Sequence, residues 1–230
     1  MKRRGLSQEG LKLIACVAMT MDHGAAVLGA GYLPYMFLRG VGRIAFPIYC
    51  WLLAEGAHYT RSEGRYALRL GLGFLLSEIP FDLALFGGIT WQHQNVFLTL
   101  LLGFGAMTAM KRIGNPFLRL FFLLPFSLVA DLMRTDYGGY GVAMIGLLFL
   151  VRGLPHRKWC AFAVIGLCCA MIPSIGFSLG GLTVSLELLG ILAAVPIALC
   201  TGRKRTHSKA VQWAYLLFYP AHLAVLSWIA

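Results

Sequence analysis

Apolar residues fill this chain in long stretches separated by short polar breaks, at about 11–30, 36–57, 68–87, 95–110, 117–133, 138–151, 159–177, 182–200 and 211–229. At about 1.5 Å of rise per residue, an apolar helix needs about 20 residues to cross the hydrocarbon of a bilayer. The pattern therefore predicts an all-α fold, a polytopic integral membrane bundle of nine helices forming one domain over 1–230. The short neighbours 117–133 and 138–151 equally suit a single hairpin that does not fully cross. Pro47 removes the hydrogen bond to the Arg43 carbonyl and predicts a kink in the second span. Pro80 frees the Leu76 carbonyl in the same way, and Pro220 repeats the device in the last span.

The charges give this pattern a direction. Only 13% of the 230 residues are charged, against about 25% in a soluble domain. With the N-terminus inside and sides alternating, the inner loops hold Lys2, Arg3, Arg4 and Lys12, then Arg61, Arg65 and Arg69, then Lys111, Arg112 and Arg119. Arg152, Arg157 and Lys158 follow, then Arg203, Lys204, Arg205 and Lys209, which makes seventeen of the twenty basic residues. Outer loops keep only Arg134, while Arg39 and Arg43 open the second span. This bias obeys the positive-inside rule and puts the C-terminus outside. Met1-Lys2-Arg3-Arg4 before an apolar run has the outline of a signal peptide, but Asp22-His23 interrupts the run, so a retained first helix is expected. The net charge of +11 forms no basic stripe with interleaved aromatics, which excludes nucleic acid and leaves the lipid bilayer as partner. Six cysteines without a CxxC pair read as packing residues rather than a disulfide framework or zinc site.

Polar groups inside the apolar runs carry the candidate chemistry. An ionisable group in hydrocarbon costs about 2.5–3.5 kcal/mol on insertion scales, so it is seldom idle. In the nine-span topology Asp22-His23, Arg39, Arg43, Glu78, Asp82, Asn95, Asp131, Asp136, Glu187 and His222 share one depth, from the middle to the outer half. His23 is a candidate general base, since an imidazole titrates near working pH and Asp22 stands beside it. Its structural alternative is a packing histidine satisfied by a neighbouring hydroxyl. Arg39 and Arg43 lie one turn apart on one helical face and need anions, from Glu78, Asp82 or a substrate. Glu78 and Asp82 suit general acid–base work, though pairing with the two arginines is the simpler account. Asn95 suits either an oxyanion donor or a helix cap. Asp136-Tyr137-Gly138-Gly139 reads as a tight turn, and His222 as a further polar-layer residue. His58, His93, His156 and His207 are expected in solvated loops. No histidine pair with a third ligand nearby predicts a metal.

These segments, taken in order, resemble the TraX (F-pilin acetylase) family of bacterial membrane proteins. The resemblance rests on Met21-Asp22-His23, on Arg39-Gly40-Val41-Gly42-Arg43-Ile44-Ala45-Phe46-Pro47, and on Ser77-Glu78-Ile79-Pro80-Phe81-Asp82. It continues through Gln94-Asn95-Val96-Phe97, Asp136-Tyr137-Gly138 and Tyr219-Pro220-Ala221-His222, so it covers about 11–225. It implies a multi-pass protein of the bacterial plasma (inner) membrane that transfers acetyl from cytoplasmic acetyl-CoA, with no metal, to an outer acceptor. That acceptor is a pilin-like protein's amino terminus or, by distant similarity to multi-pass membrane acyltransferases, a surface glycan. The expected roles are His23, Asp22 and Asn95 as catalytic residues and Arg39, Arg43, Glu78, Asp82, Asp136 and His222 as substrate-binding. Arg61, Arg65 and Arg69 are expected at the CoA phosphates. A transporter and a non-catalytic membrane assembly protein are the rival classes, since intramembrane acids and proline-broken helices also mark substrate pathways.

Overall fold

The computed structural model describes residues 5–29, 31–172, 174, 176–179, 182–201 and 208–229. Lys2, Arg3, Arg4, Arg203, Lys204, Arg205 and His207 lie outside the described residues. Helix α1 runs Gln8–Leu28, α2 Tyr32–Gly42, α3 Ala45–Tyr59, α4 Glu63–Phe86, α5 Val96–Lys111, α6 Pro116–Phe121 and α7 Leu123–Leu132. Then come α8 Gly138–Val151, α9 Arg157–Met171, the strands β1 Gly176–Leu179 and β2 Leu182–Ser185, a 3-10 helix Leu186–Ala193, α10 Ala194–Leu199 and α11 Lys209–Ile229.

The ends of these helices are written in the sequence. Ser7, Ser62, Asn95 and Asn115 each accept a first-turn amide as N-caps. Gly29 and Gly87 close α1 and α4 in the left-handed conformation that glycine adopts freely. Two prolines explain where apolar runs break, while Pro80 and Pro220 lie inside the unbroken α4 and α11. Pro47 and Pro125 withhold the N–H that would bond Arg43 and Phe121, and the chain interrupts its helix at Arg43-Ile44 and at Phe122. The break in the second run thus falls four residues before Pro47, and 117–133 is two helices.

The run 182–200 departs furthest from the expected helix. Its first residues form β2, paired antiparallel with β1 in the register Gly176↔Ser185 to Leu179↔Leu182. Val184 is β-branched and favours the strand. The 3-10 stretch gives way to α10 near Leu192, four residues before Pro196. The preceding run ends as a helix at Met171 rather than 177.

The core lies where α3, α5 and α8 meet, around Ile48, Phe104, Met107, Val142, Met144, Ile145 and Leu148. Around it, α4 packs on α5 and α11, α1 on α2, α3 and α11, and α9 on α8 and the 3-10 helix. Gly103 and Gly146 let α5 and α7 close on α8, with Ile145 and Leu123 filling the space a side chain would need. Among the described residues, α1 and the broken pair Tyr32–Tyr59 are the helices both long and apolar enough to cross a membrane. Val96–Lys111, Gly138–Val151 and Leu186–Leu199 are apolar but shorter.

Candidate functional site

Two histidines form the centre of the polar layer. Proline-containing α11 carries His222 to α1, where its Nε2 lies 2.7 Å from Nδ1 of His23. The ring centroids are 5.0 Å apart and the planes 6° from parallel, which is the separation of imidazoles joined edge to edge. His222 Nδ1 donates to the Phe218 carbonyl at 2.8 Å. A carbonyl only accepts, so the proton of neutral His222 sits on Nδ1 and its Nε2 is an acceptor. His23 Nδ1 is then the donor, which leaves the lone pair of His23 on Nε2. The bond chain assigns one tautomer to a buried imidazole, as the carboxylate does in a catalytic triad.

Asp22 does not hold this ring. It takes Arg39 Nη1 at 2.7 Å and also Arg43, whose other Nη bonds Glu187 of the 3-10 helix. Arg43 Nε additionally donates to the Arg39 carbonyl at 3.2 Å. Two buried acids and two arginines thus close a neutral network that ties α1, α2 and the 3-10 helix together. Gly42 gives Asp22 room, since any side chain there would meet its carboxylate. The expected partners of the arginines, Glu78 and Asp82, are elsewhere, because α2 faces α1 and the 3-10 helix rather than α4.

Glu78 instead bonds Asn95, whose Nδ2 donates to it and to the Phe74 carbonyl at 3.0 Å. Asn95 Oδ1 accepts the Phe97 N–H at 3.0 Å, completing the N-cap of α5. Both donors of that amide are spent inside the protein, so Asn95 is the cap and has none left for an oxyanion. Asp82 accepts the Thr90 N–H at 2.8 Å, and one oxygen of each acid, Glu78 Oε1 and Asp82 Oδ1, is buried without a partner. Asp131 caps the first turn of α8 through the Gly139 N–H at 2.6 Å.

The neighbouring turn is backbone-strained in a way composition does not reveal. Arg134 and Tyr137 adopt φ of 51° and 64° on either side of Asp136. Non-glycine residues in this region cost about 1–3 kcal/mol each and gather at functional sites. Tyr137 stacks on Phe46 at 3.7 Å, and Gln94 is clasped by the Arg134 carbonyl and the Asp136 N–H. His93 was expected in solvent but is half-buried between Phe81 and Phe86, 3.9 Å from Asp136.

Arg61, Arg65 and Arg69 lie at the opposite end. A cavity of about 450 Å³ begins at Gln8, Lys12, Arg61, Arg69 and Gln212, and its inner end reaches Met19, Val96, Phe97 and Tyr219. A second cavity of about 530 Å³ adjoins it, shares Arg61 and Arg69, and adds Arg65. Arg69 is oriented by Gln212 at 2.7 Å and by the Tyr66 ring. Tyr219 separates the inner end from the histidines, its ring 5.8 Å from His23 and 5.5 Å from His222, edge to face. Among the described residues no group of three histidine, cysteine or acidic side chains could hold a metal.

The sequence profile of the TraX protein family matches residues 7–230. The chain belongs to the TraX family. It is also similar to a protein of Dichelobacter nodosus named "Probable fimbrial assembly protein FimC, serogroup H1", at 30% identity over 94% of this chain and 92% of the relative. No solved structure matches it. In this TraX protein, sequence alone pointed to His23, His222 and the arginines. It missed Tyr219, His93 and the His23–His222 bond, although the Tyr-Pro-x-His order places Tyr219 and His222 one helical turn apart.

Proposed function

We propose that the chain is a multi-pass protein of the bacterial plasma membrane that moves an acetyl group from cytoplasmic acetyl-CoA to the N-terminal amine of a pilin-like acceptor outside. The relative named for fimbrial assembly supports the acceptor class. Exposed Leu68, Leu75, Ile79, Leu83 and Phe86 on α4, with Leu124, Leu128 and Leu132 on α7, support a lipid-facing surface. The observation that carries the chemistry is the His23–His222 pair, an imidazole with an assigned tautomer behind the end of a cavity whose mouth is basic.

The steps follow from that geometry. Arg61, Arg65 and Arg69 offer charge-assisted bonds to the phosphates of the donor, with Arg guanidinium suited to bidentate contact. The apolar walls beyond them, Leu53, Leu70, Leu100 and Phe97, admit the pantetheine arm and its thioester. His23 Nε2 accepts a proton as the acceptor amine attacks the thioester carbonyl carbon, forming C–N while the π pair moves to oxygen. Collapse of that oxyanion breaks C–S, and the departing thiolate takes the proton back from His23. His222 keeps Nδ1 of His23 bonded throughout.

The test is turnover of labelled acetyl-CoA by the full chain in lipid nanodiscs, with a pilin-type N-terminal peptide and a glycan as alternative acceptors. Label on the peptide amine and release of free CoA are expected. His23→Ala should lose about 10²–10⁴ of the rate, measured on protein verified as folded. Retention of more than about a tenth of the wild-type rate would sink the base assignment. Label on the glycan alone would sink the acceptor class.

A further inference from the structure

The oxyanion of that reaction needs a donor, and Asn95 has none to give. We propose that the hydroxyl of Tyr219 supplies it, as a catalytic residue touching the acyl oxygen. The inference rests on the acetyl-transfer reading above, and on four observations independent of that reading.

Tyr219 lines the inner end of the cavity that starts at Arg61 and Arg69. The residue is only 4% exposed, and among the described residues no acceptor takes the proton of its buried hydroxyl. Buried hydroxyls almost always donate as well as accept, because an unmade bond in a dry site costs stability. A hydroxyl with its proton unspent at the end of a cavity fits a group kept for a ligand. Its oxygen lies by the Val96 N–H in the first turn of α5. The positive end of a helix dipole favours negative charge there.

Three rings pack against it. Phe97 meets it edge to face at 5.4 Å, and His23 and His222 at 5.8 and 5.5 Å. A donor fixed before the reaction requires no reorganisation as charge develops, which is what makes such donors effective. Tyr219 also touches the base, so one residue stands between the donor cavity and His23.

Tyr219→Phe keeps all three ring contacts and removes only the hydroxyl. Measured in nanodiscs with the full chain, kcat should fall by about 10²–10³, as for loss of one oxyanion donor, while KM for acetyl-CoA changes little. Its melting temperature should stay near that of the wild type, since the hydroxyl proton had no acceptor in the core. Wild-type kcat in this variant overturns the inference and leaves the acetyl-transfer reading standing. A melting temperature lowered in step with activity also overturns it, because the hydroxyl would then be structural. If Tyr219→Phe does not fold, a fluorinated tyrosine at 219 replaces it: a more acidic phenol must change kcat, and an unchanged kcat counts against the proposal. A wild-type protein inert toward acetyl-CoA with every acceptor removes both readings together.

Discussion

His93 gives the strained turn a pH response. The Asp136 carboxylate facing it raises its pKa above the usual imidazole value, against the opposing pull of partial burial. A raised folded-state pKa contributes stability that is complete below the unfolded value, near 6.5, and is lost as pH climbs through the folded value. Wild type should therefore outmelt His93→Gln by the widest margin below the unfolded value near 6.5, and the margin should shrink as pH rises above it. Parallel melting curves across that range would show that the pair does not act. Neither partner's contribution was legible in the sequence. His93 reads as one more loop histidine, and only the left-handed Tyr137 and Arg134 bring Asp136 back to it. The same limit applied to Asp22. Its adjacency to His23 was visible, but adjacent helical residues point about 100° apart, so the carboxylate went to the arginines and the histidine found His222.

Helical elements were read best where their punctuation is local. The run 138–151 is helical from end to end, and Asn95 caps α5. Misreadings came from partners distant in sequence: β2 needs β1, and the fate of Glu187 depends on Arg43, 144 positions away. That ion network is testable as the fastening between elements. Arg43→Leu leaves Glu187 as a buried, unbalanced acid while Asp22 keeps Arg39, and breaking a buried pair from one side costs about 3–5 kcal/mol. Adding Glu187→Gln removes the imbalance and should restore most of the loss. Reversible denaturation of the single and double variants reads the difference. A single variant within about 0.5 kcal/mol of wild type would mean the network is not buried.

At the scale of the whole molecule, Arg65 and Arg69 lie in the first half of α4 and Glu78 and Asp82 in the second. The Arg61, Arg65 and Arg69 cavities lie at one end, and Glu78, Asp82, His93 and Asp136 at the other. Replacing the three arginines together by glutamine should raise KM for acetyl-CoA at least tenfold, leave kcat at saturation near wild type, and flatten the dependence of KM on salt. An unchanged KM, with insertion verified by a reporter after Lys209, moves the phosphate site elsewhere.

Arg43 has a mechanical consequence at this scale. Its guanidinium is bonded to Glu187, and its own carbonyl, freed by Pro47, faces Gly190 so closely that a side chain there would come within 3.1 Å. Both contacts lie in the same 3-10 helix. A break between two helices is normally the place where a protein hinges. Here the elbow between α2 and α3 is tied to the 3-10 helix by the Glu187 bond and closes on Gly190, so opening it would have to break a buried ion pair.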